Sequence, residues 1–248
     1  MDLFEAFALA PGTVLAAVGG GGRTALAYGA ALEAAGRGMP AIVVPAVRST
    51  GPEPGSPHLC VTTADATLVA DAMQAVQPGQ AIALVGERDH HGEFPGFSLE
   101  SIAGLSLPFG LISVDGDGAR TRWFKAPGEH EPAIPASATD VVVCVGLEIL
   151  GQPLSDAWVH RPGVVSDLTG AATGAPVTAD MIVQVLLHDR GGRKNVPNGA
   201  RVHALLENPV TDEHLSLANH LAARLVYGGF TSAVIATAAT TTVHGVVR

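Results

Sequence analysis

The chain has 248 residues, 47% hydrophobic and 15% charged, with a mean hydropathy of +0.32. That excludes a disordered chain and a mini-protein held by staples, and it is the size of one large domain or two small ones. Lys and Arg number 14 against 23 Asp and Glu, a net charge of −9 with no basic run, which excludes a sequence-independent nucleic-acid binder.

Taken in chain order, the start carries Asp2 and Glu5 where a secretory signal needs positive charge, so a cytoplasmic protein is expected. Short Val/Ile-rich runs predict strands at Thr13–Val18, Ala41–Val44, Ala81–Val85, Gly110–Asp115, Asp140–Val145, Arg201–Leu206 and Ala233–Thr237. None alternates apolar with polar residues, as befits strands covered on both faces. Between them fall predicted helices at Arg23–Ala35, Ala64–Val76, Thr178–Leu187 and Asp212–Tyr227, the first closed by Gly36 as a left-handed cap. Arg48–Pro57, Asp89–Gly96 and Gly170–Pro176 read as loops. The charge-free stretch Val226–Val247 is broken by Gly, Ser, His and Thr and reads as a loop, a buried strand and a loose tail, with no membrane span. Cys60 and Cys144 lie far apart in apolar surroundings and read as buried thiols in a reducing compartment. The alternation predicts one α/β domain over residues 1–248, a P-loop-like, open and mostly parallel sheet with helices on both faces. The weaker periodicity of residues 146–198 leaves room for a small insertion or subdomain.

Between the first strand and the first helix stand Gly19, Gly20, Gly21 and Gly22, followed by Arg23 and Thr24. Consecutive glycines let backbone N–H groups converge on an anion, and the helix N-terminus adds partial positive charge. In a full GxxxxGK[ST] loop the Lys reaches the phosphates and the hydroxyl binds Mg²⁺. Here Ala17 stands at the first Gly and Arg23 at the Lys, and Arg's planar fork reaches differently. A purely structural turn is the plain alternative. A nicotinamide cofactor is disfavoured, since Thr24 takes the third Gly of G-x-G-x-x-G and residues 42–47 offer no acid for a ribose.

The densest polar chemistry follows the predicted strand Gly110–Asp115. Asp115 and Asp117 stand at its carboxyl end, where open α/β sheets bind ligands. One of them could hold Mg²⁺ opposite Thr24, with Thr24 and Asp117 as the expected pair. Lys125 suits a phosphate or carboxylate, and His130, between Glu129 and Glu131, suits acid/base or metal work. Arg161 offers a fork for an anion, Lys194 beside Arg193 is a further anion contact, and Trp123 and Trp158 read as packing anchors. The adjacent His90 and His91 read as loop residues.

This stretch resembles the signature of the selenium-dependent molybdenum hydroxylase accessory proteins, the YqeC family. There a VGxGGKTT-like loop precedes an EADG-like turn and a KAPxEHEPxIP-like segment. The matches are Asp117–Ala119, Lys125-Ala126-Pro127, Glu129-His130-Glu131-Pro132 and Ile134-Pro135. The chain departs at Arg23 for Lys, Ala25 for Thr, Asp115 for Glu, and Leu206-Glu207-Asn208-Pro209 where the family has a guanine-reading-like segment. The resemblance implies a P-loop-like nucleotide-binding protein assisting maturation of a molybdenum cofactor enzyme, with that enzyme or its maturation proteins as partner. Under that reading Gly19–Thr24 bind ATP or GTP, Thr24 and Asp117 hold Mg²⁺, Asp115, Asp117, Lys125 and His130 are catalytic candidates, and Glu129, Glu131 and Arg161 bind the second substrate. Phosphoryl or nucleotidyl transfer is the expected reaction class. The competing expectations are a non-enzymatic, nucleotide- or anion-gated module that engages a partner enzyme, and a metal-dependent hydrolase built on residues 129–131.

Overall fold

The computed structural model describes residues 1–52, 56–63, 77, 79–107, 109–118 and 122–248, so the helix expected at Ala64–Val76 lies outside the described residues. Among them are strands β1 (Val14–Gly19), β2 (Ala41–Pro45), β3 (Leu59–Thr62), β4 (Ile82–Val85), β5 (Leu111–Asp115), β6 (Phe124–Lys125), β7 (Asp140–Gly146), β8 (Val159–His160), β9 (Arg201–Glu207), β10 (Ser232–Thr237) and β11 (Thr242–Val247). The helices are α1 (Leu3–Ala6), α2 (Arg23–Gly36), α3 (Leu99–Ala103), α4 (Pro162–Thr169), α5 (Ala179–Leu187) and α6 (Asp212–Tyr227).

Nine strands form one sheet in the order β11-β10-β9-β7-β1-β5-β2-β4-β3. Every pairing in it is parallel except β10 with β11. The continuous apolar runs are buried throughout β2, β4, β5 and β7, because helices cover both faces. On one face α2 presents Ala27, Ala30, Ala31 and Ala34, small side chains that let the helix lie close to the sheet, and α1 packs beside it. On the other face Ile102 of α3, Val165 of α4, Ile182 and Val185 of α5, and Leu221 and Leu225 of α6 join the second core.

Three sequence expectations change. Gly36 is the last helical residue of α2 rather than its left-handed cap; the positive φ falls at Gly38 (+75°), whose N–H bonds Ala35 O. The expected loose tail is β11, whose polar side chains alternate outward along a sheet edge. Cys60 is exposed, because β3 is the opposite edge strand and turns Cys60 and Thr62 to solvent, whereas Cys144 is buried as expected.

The sheet places the chemistry. Strand order reverses about β1, with β5, β2, β4 and β3 on one side and β7, β9, β10 and β11 on the other. The parallel register sets Ala17 beside Asp115, Gly19 beside Cys144 and Gly146 beside Glu207, so the carboxyl ends of β1, β5, β7 and β9 open on one edge. That crevice is where open α/β sheets bind ligands. At the opposite, amino end, His203 bridges Asp140 (Nε2 to Oδ1, 3.0 Å) and Ser232 (Nδ1 to Oγ, 2.8 Å), and Arg201 also pairs with Asp140. All three members of that bridge are buried, and it ties β7, β9 and β10 together.

Candidate functional site

The loop after β1 is shaped by close approach. A Cβ on Gly20 would stand 2.2 Å from Trp123 O, one on Gly19 would stand 2.5 Å from Cys144 O, and Gly19 and Gly22 have φ of +95° and +87°. Only glycine fits there. The N–H groups of Gly19, Gly20 and Gly21 are already committed, donating to Asp117 Oδ2 (3.1 Å), Cys144 O (2.8 Å) and Trp123 O (3.1 Å). The four glycines therefore do not present a row of donors. The donors facing outward are those at the head of α2, whose first residues have no intrahelical partner and whose cap, Gly22, makes no side-chain bond.

Asp115 at the end of β5 receives both polar side chains of that first turn. Thr24 Oγ1 donates to Asp115 Oδ2 at 2.8 Å, and Arg23 Nη1 stands 3.6 Å from Asp115 Oδ1. Burial pushes the Asp115 carboxyl up, while the Arg23 charge and the Thr24 hydrogen bond oppose it. Arg23 Nε, Arg23 Nη1 and Asp115 Oδ1 are buried without a hydrogen-bond partner. Buried polar atoms left without a hydrogen bond are costly, and a phosphate at the guanidinium with a divalent cation at the carboxylate would satisfy both. Mg²⁺ is commonly held by one or two carboxylates together with hydroxyl, water and phosphate oxygens, and Thr24 with Asp115 supplies such a pair. The structure thus brings Thr24 to Asp115; Asp117, the partner expected from the sequence, is turned away.

A cavity of about 660 Å³ opens over this turn, within the usual size range of small-ligand sites. Arg23, Thr24, Trp123, Glu148, Glu207 and Asn208 are among the residues that line it. Glu207, at the end of β9, accepts the Ala238 N–H at 2.9 Å, and a Cβ on Gly22 would come within 2.9 Å of its Cδ. Burial, with the Glu148 charge adding to it and the Ala238 N–H opposing it, pushes Glu207 up to about 7. Glu148 Oε1 accepts the Asn208 amide, and its Oε2 is buried without a partner. Sequence reasoning assigned no role to these three. The available signal was position alone, since Glu207 immediately follows the predicted strand Arg201–Leu206. Trp123 anchors packing as expected, stacked on Trp158 with ring centroids 5.3 Å apart, and it also lines the cavity.

The second cluster folds into a chain of ion pairs behind the glycine loop. Lys125, 4% exposed, donates to Asp117 Oδ1 (2.5 Å), Glu131 Oε2 (2.7 Å) and Gly118 O (2.9 Å). Arg161 grips Glu131 with both nitrogens, at 2.5 and 2.8 Å. Burial raises the Glu131 carboxyl, but the hydrogen bonds from Arg161 and Lys125 outweigh it and hold it at about 2. Lys194 donates to Gly128 O and Glu129 O, fixing the turn from behind. Glu129 and His130 themselves are exposed at the tip of that turn and do not line the cavity. Among the described residues no three His, Cys, Asp or Glu side chains gather as a metal-ligand group. His90 and His91 lie ring against ring, with centroids 3.9 Å apart.

A family model described as YqeC protein matches residues 15–163. The "Uncharacterized protein YqeC" of Escherichia coli (strain K12) is 31% identical over 199 residues, 76% of this chain and 73% of that protein. No solved structure matches. Among the described residues no helix is long and apolar enough to cross a membrane.

Proposed function

The chain belongs to the YqeC family, and from that premise we propose that it binds a nucleoside triphosphate with Mg²⁺ and serves in the cytoplasm as an accessory protein for maturation of a selenium-dependent molybdenum hydroxylase. The observation that carries the nucleotide reading is the joint placement of Arg23, Thr24 and Asp115, with buried polar atoms that lack a hydrogen-bond partner, at the cavity over the head of α2. In this reading Arg23 leaves its loose 3.6 Å pairing with Asp115 to meet the phosphates, and its fork favours bidentate contact. The donors at the head of α2 and its partial positive charge add to this. Thr24 and Asp115 would hold Mg²⁺, which supplies charge neutralisation at the phosphate oxygens. Should a transfer follow, it is phosphoryl or nucleotidyl transfer by positioning and electrostatics. The accessory role rests on the family resemblance, carried by the segment from Lys125 to Pro135.

Calorimetric titration with ATP and with GTP, each in Mg²⁺ and in EDTA, tests the reading. Mg²⁺-dependent micromolar binding, about −8 kcal/mol, lost in Thr24→Ala, is the expected result; absence of binding by either nucleotide overturns it.

One observation favours a non-enzymatic gate as the second reading. Gly19 N–H, Asp117, Lys125, Glu131 and Arg161 form an unbroken chain from the glycine loop to the turn at residues 128–131. A nucleotide that shifts the loop would be felt at that turn. Amide exchange slowed at residues 126–131 when nucleotide is added, with no turnover, would mark the gate.

A further inference from the structure

Glu207 lies against Gly22, at the head of α2 where the nucleotide reading seats a phosphate. Its carboxyl faces Gly22 at the head of α2, closely enough that a single added methyl there would meet its Cγ and Cδ at 2.9 Å. It lines the cavity, is 8% exposed, and its two oxygens share one donor, Ala238 N–H, at 3.2 and 2.9 Å. The titratable and charged groups that line the cavity with it are Glu148 after β7, Arg23 and Tyr28 of α2, His58 before β3, and Arg122 before β6; Arg23 is turned to Asp115, and Glu207 itself takes its hydrogen bond from the Ala238 N–H after β10. A phosphate dianion seated at Gly22 would meet an ionised Glu207 as like charge against like charge.

We infer that Glu207 determines the form in which this site accepts a phosphate ester: the protonated carboxyl donates an O–H···O hydrogen bond to the phosphate at Gly22, so that binding takes up one proton. This deepens the nucleotide reading and rests on it. The inference names Glu207 as a specificity residue, acting by contact with the ligand. A carboxyl that titrates near 7 in the free protein is poised for the exchange, because nearby phosphate can draw it to the protonated form at modest cost.

The test is calorimetry of the full chain with ATP and with GTP in Mg²⁺, from about pH 6 to about pH 8.5, in two buffers of different ionisation enthalpy. The wild type is expected to take up close to one proton above pH 7, its affinity falling about tenfold per pH unit. Glu207→Gln keeps the Ala238 bond through its amide oxygen; it should bind with affinity independent of pH, save for the nucleotide's own ionisation, which is then subtracted from both proteins. Glu148→Gln, by removing the neighbouring like charge, should move the wild-type uptake to lower pH. Nucleotide binding by the wild type without proton uptake beyond that of Glu207→Gln overturns the inference and leaves the nucleotide site standing. Loss of all nucleotide binding in Mg²⁺ overturns the nucleotide site and this inference with it.

Discussion

Gly20 has the least latitude of any residue at the site. A methyl group there would meet the Trp123 carbonyl at 2.2 Å, and that carbonyl is held by Gly21 and Gly146. Gly20→Ala should therefore displace the loop, costing roughly 1–3 kcal/mol of stability in chemical denaturation and weakening nucleotide binding. Two carboxyls set opposite pH dependences. Glu131 titrates at about 2 in the folded chain, below its ordinary 4.5, so its contribution is present above 4.5 and is lost as pH falls toward 2. Glu131→Gln should cost about 1–2 kcal/mol at neutral pH, after discounting for the solvent that reaches this half-buried group, and should flatten the acid limb of the stability curve. Glu207 titrates at about 7, above its ordinary 4.5, so the unfolded chain sheds this proton first and stability falls as pH rises from 4.5 through 7. Glu207→Gln should remove that loss, gaining roughly 2–3 kcal/mol at pH 8 and little at pH 4, as read by urea denaturation at the two pH values.

At the scale of elements, β6 and β8 exist to carry the ion-pair chain. Their parallel pairing sets Lys125 beside His160 and so brings Arg161 up to Glu131. Lys125→Met would leave Asp117 and Glu131 facing each other with one partner gone, an uncompensated buried charge that costs about 3–5 kcal/mol; a shift of the urea midpoint to lower concentration with an unchanged slope is the expected signature. Neither strand was legible in the sequence, because two residues have no periodicity to read. The long apolar runs were legible to within a residue or so: the predicted Asp140–Val145 is β7, Asp140–Gly146, and the predicted helix Asp212–Tyr227 is α6 with the same bounds. The edge strands β3 and β11 escaped for the opposite reason. Some of their side chains face solvent, so residues 59–62 were given no element and residues 242–247 read as tail, and Cys60 was misplaced along with β3.

Across the whole molecule, the cavity gathers side chains from residue 20 to residue 241 around the head of α2, with strands β1, β5, β7 and β9 all ending beside it. A ligand bound there ties both wings of the sheet together. Saturation at about a hundredfold over Kd adds about 2.7 kcal/mol, so a thermal scan with Mg²⁺-nucleotide should raise Tm by roughly 5–10 °C, and Thr24→Ala should abolish the rise. What the sequence by itself determined was the α/β class, the central strands, helices α2, α5 and α6, the glycine turn that opens the site and the family signature from Lys125 to Pro135. Each of these is written in neighbouring residues, through apolar periodicity, backbone freedom or a contiguous motif. Which groups meet was decided only by the tertiary structure: Thr24 with Asp115 rather than Asp117, Glu131 with Arg161, Glu207 against Gly22, and Glu129 and His130 left in solvent. Those partners lie 30 to 185 residues apart in sequence, and their meeting depends on strand order and register, which no local pattern in a single chain records.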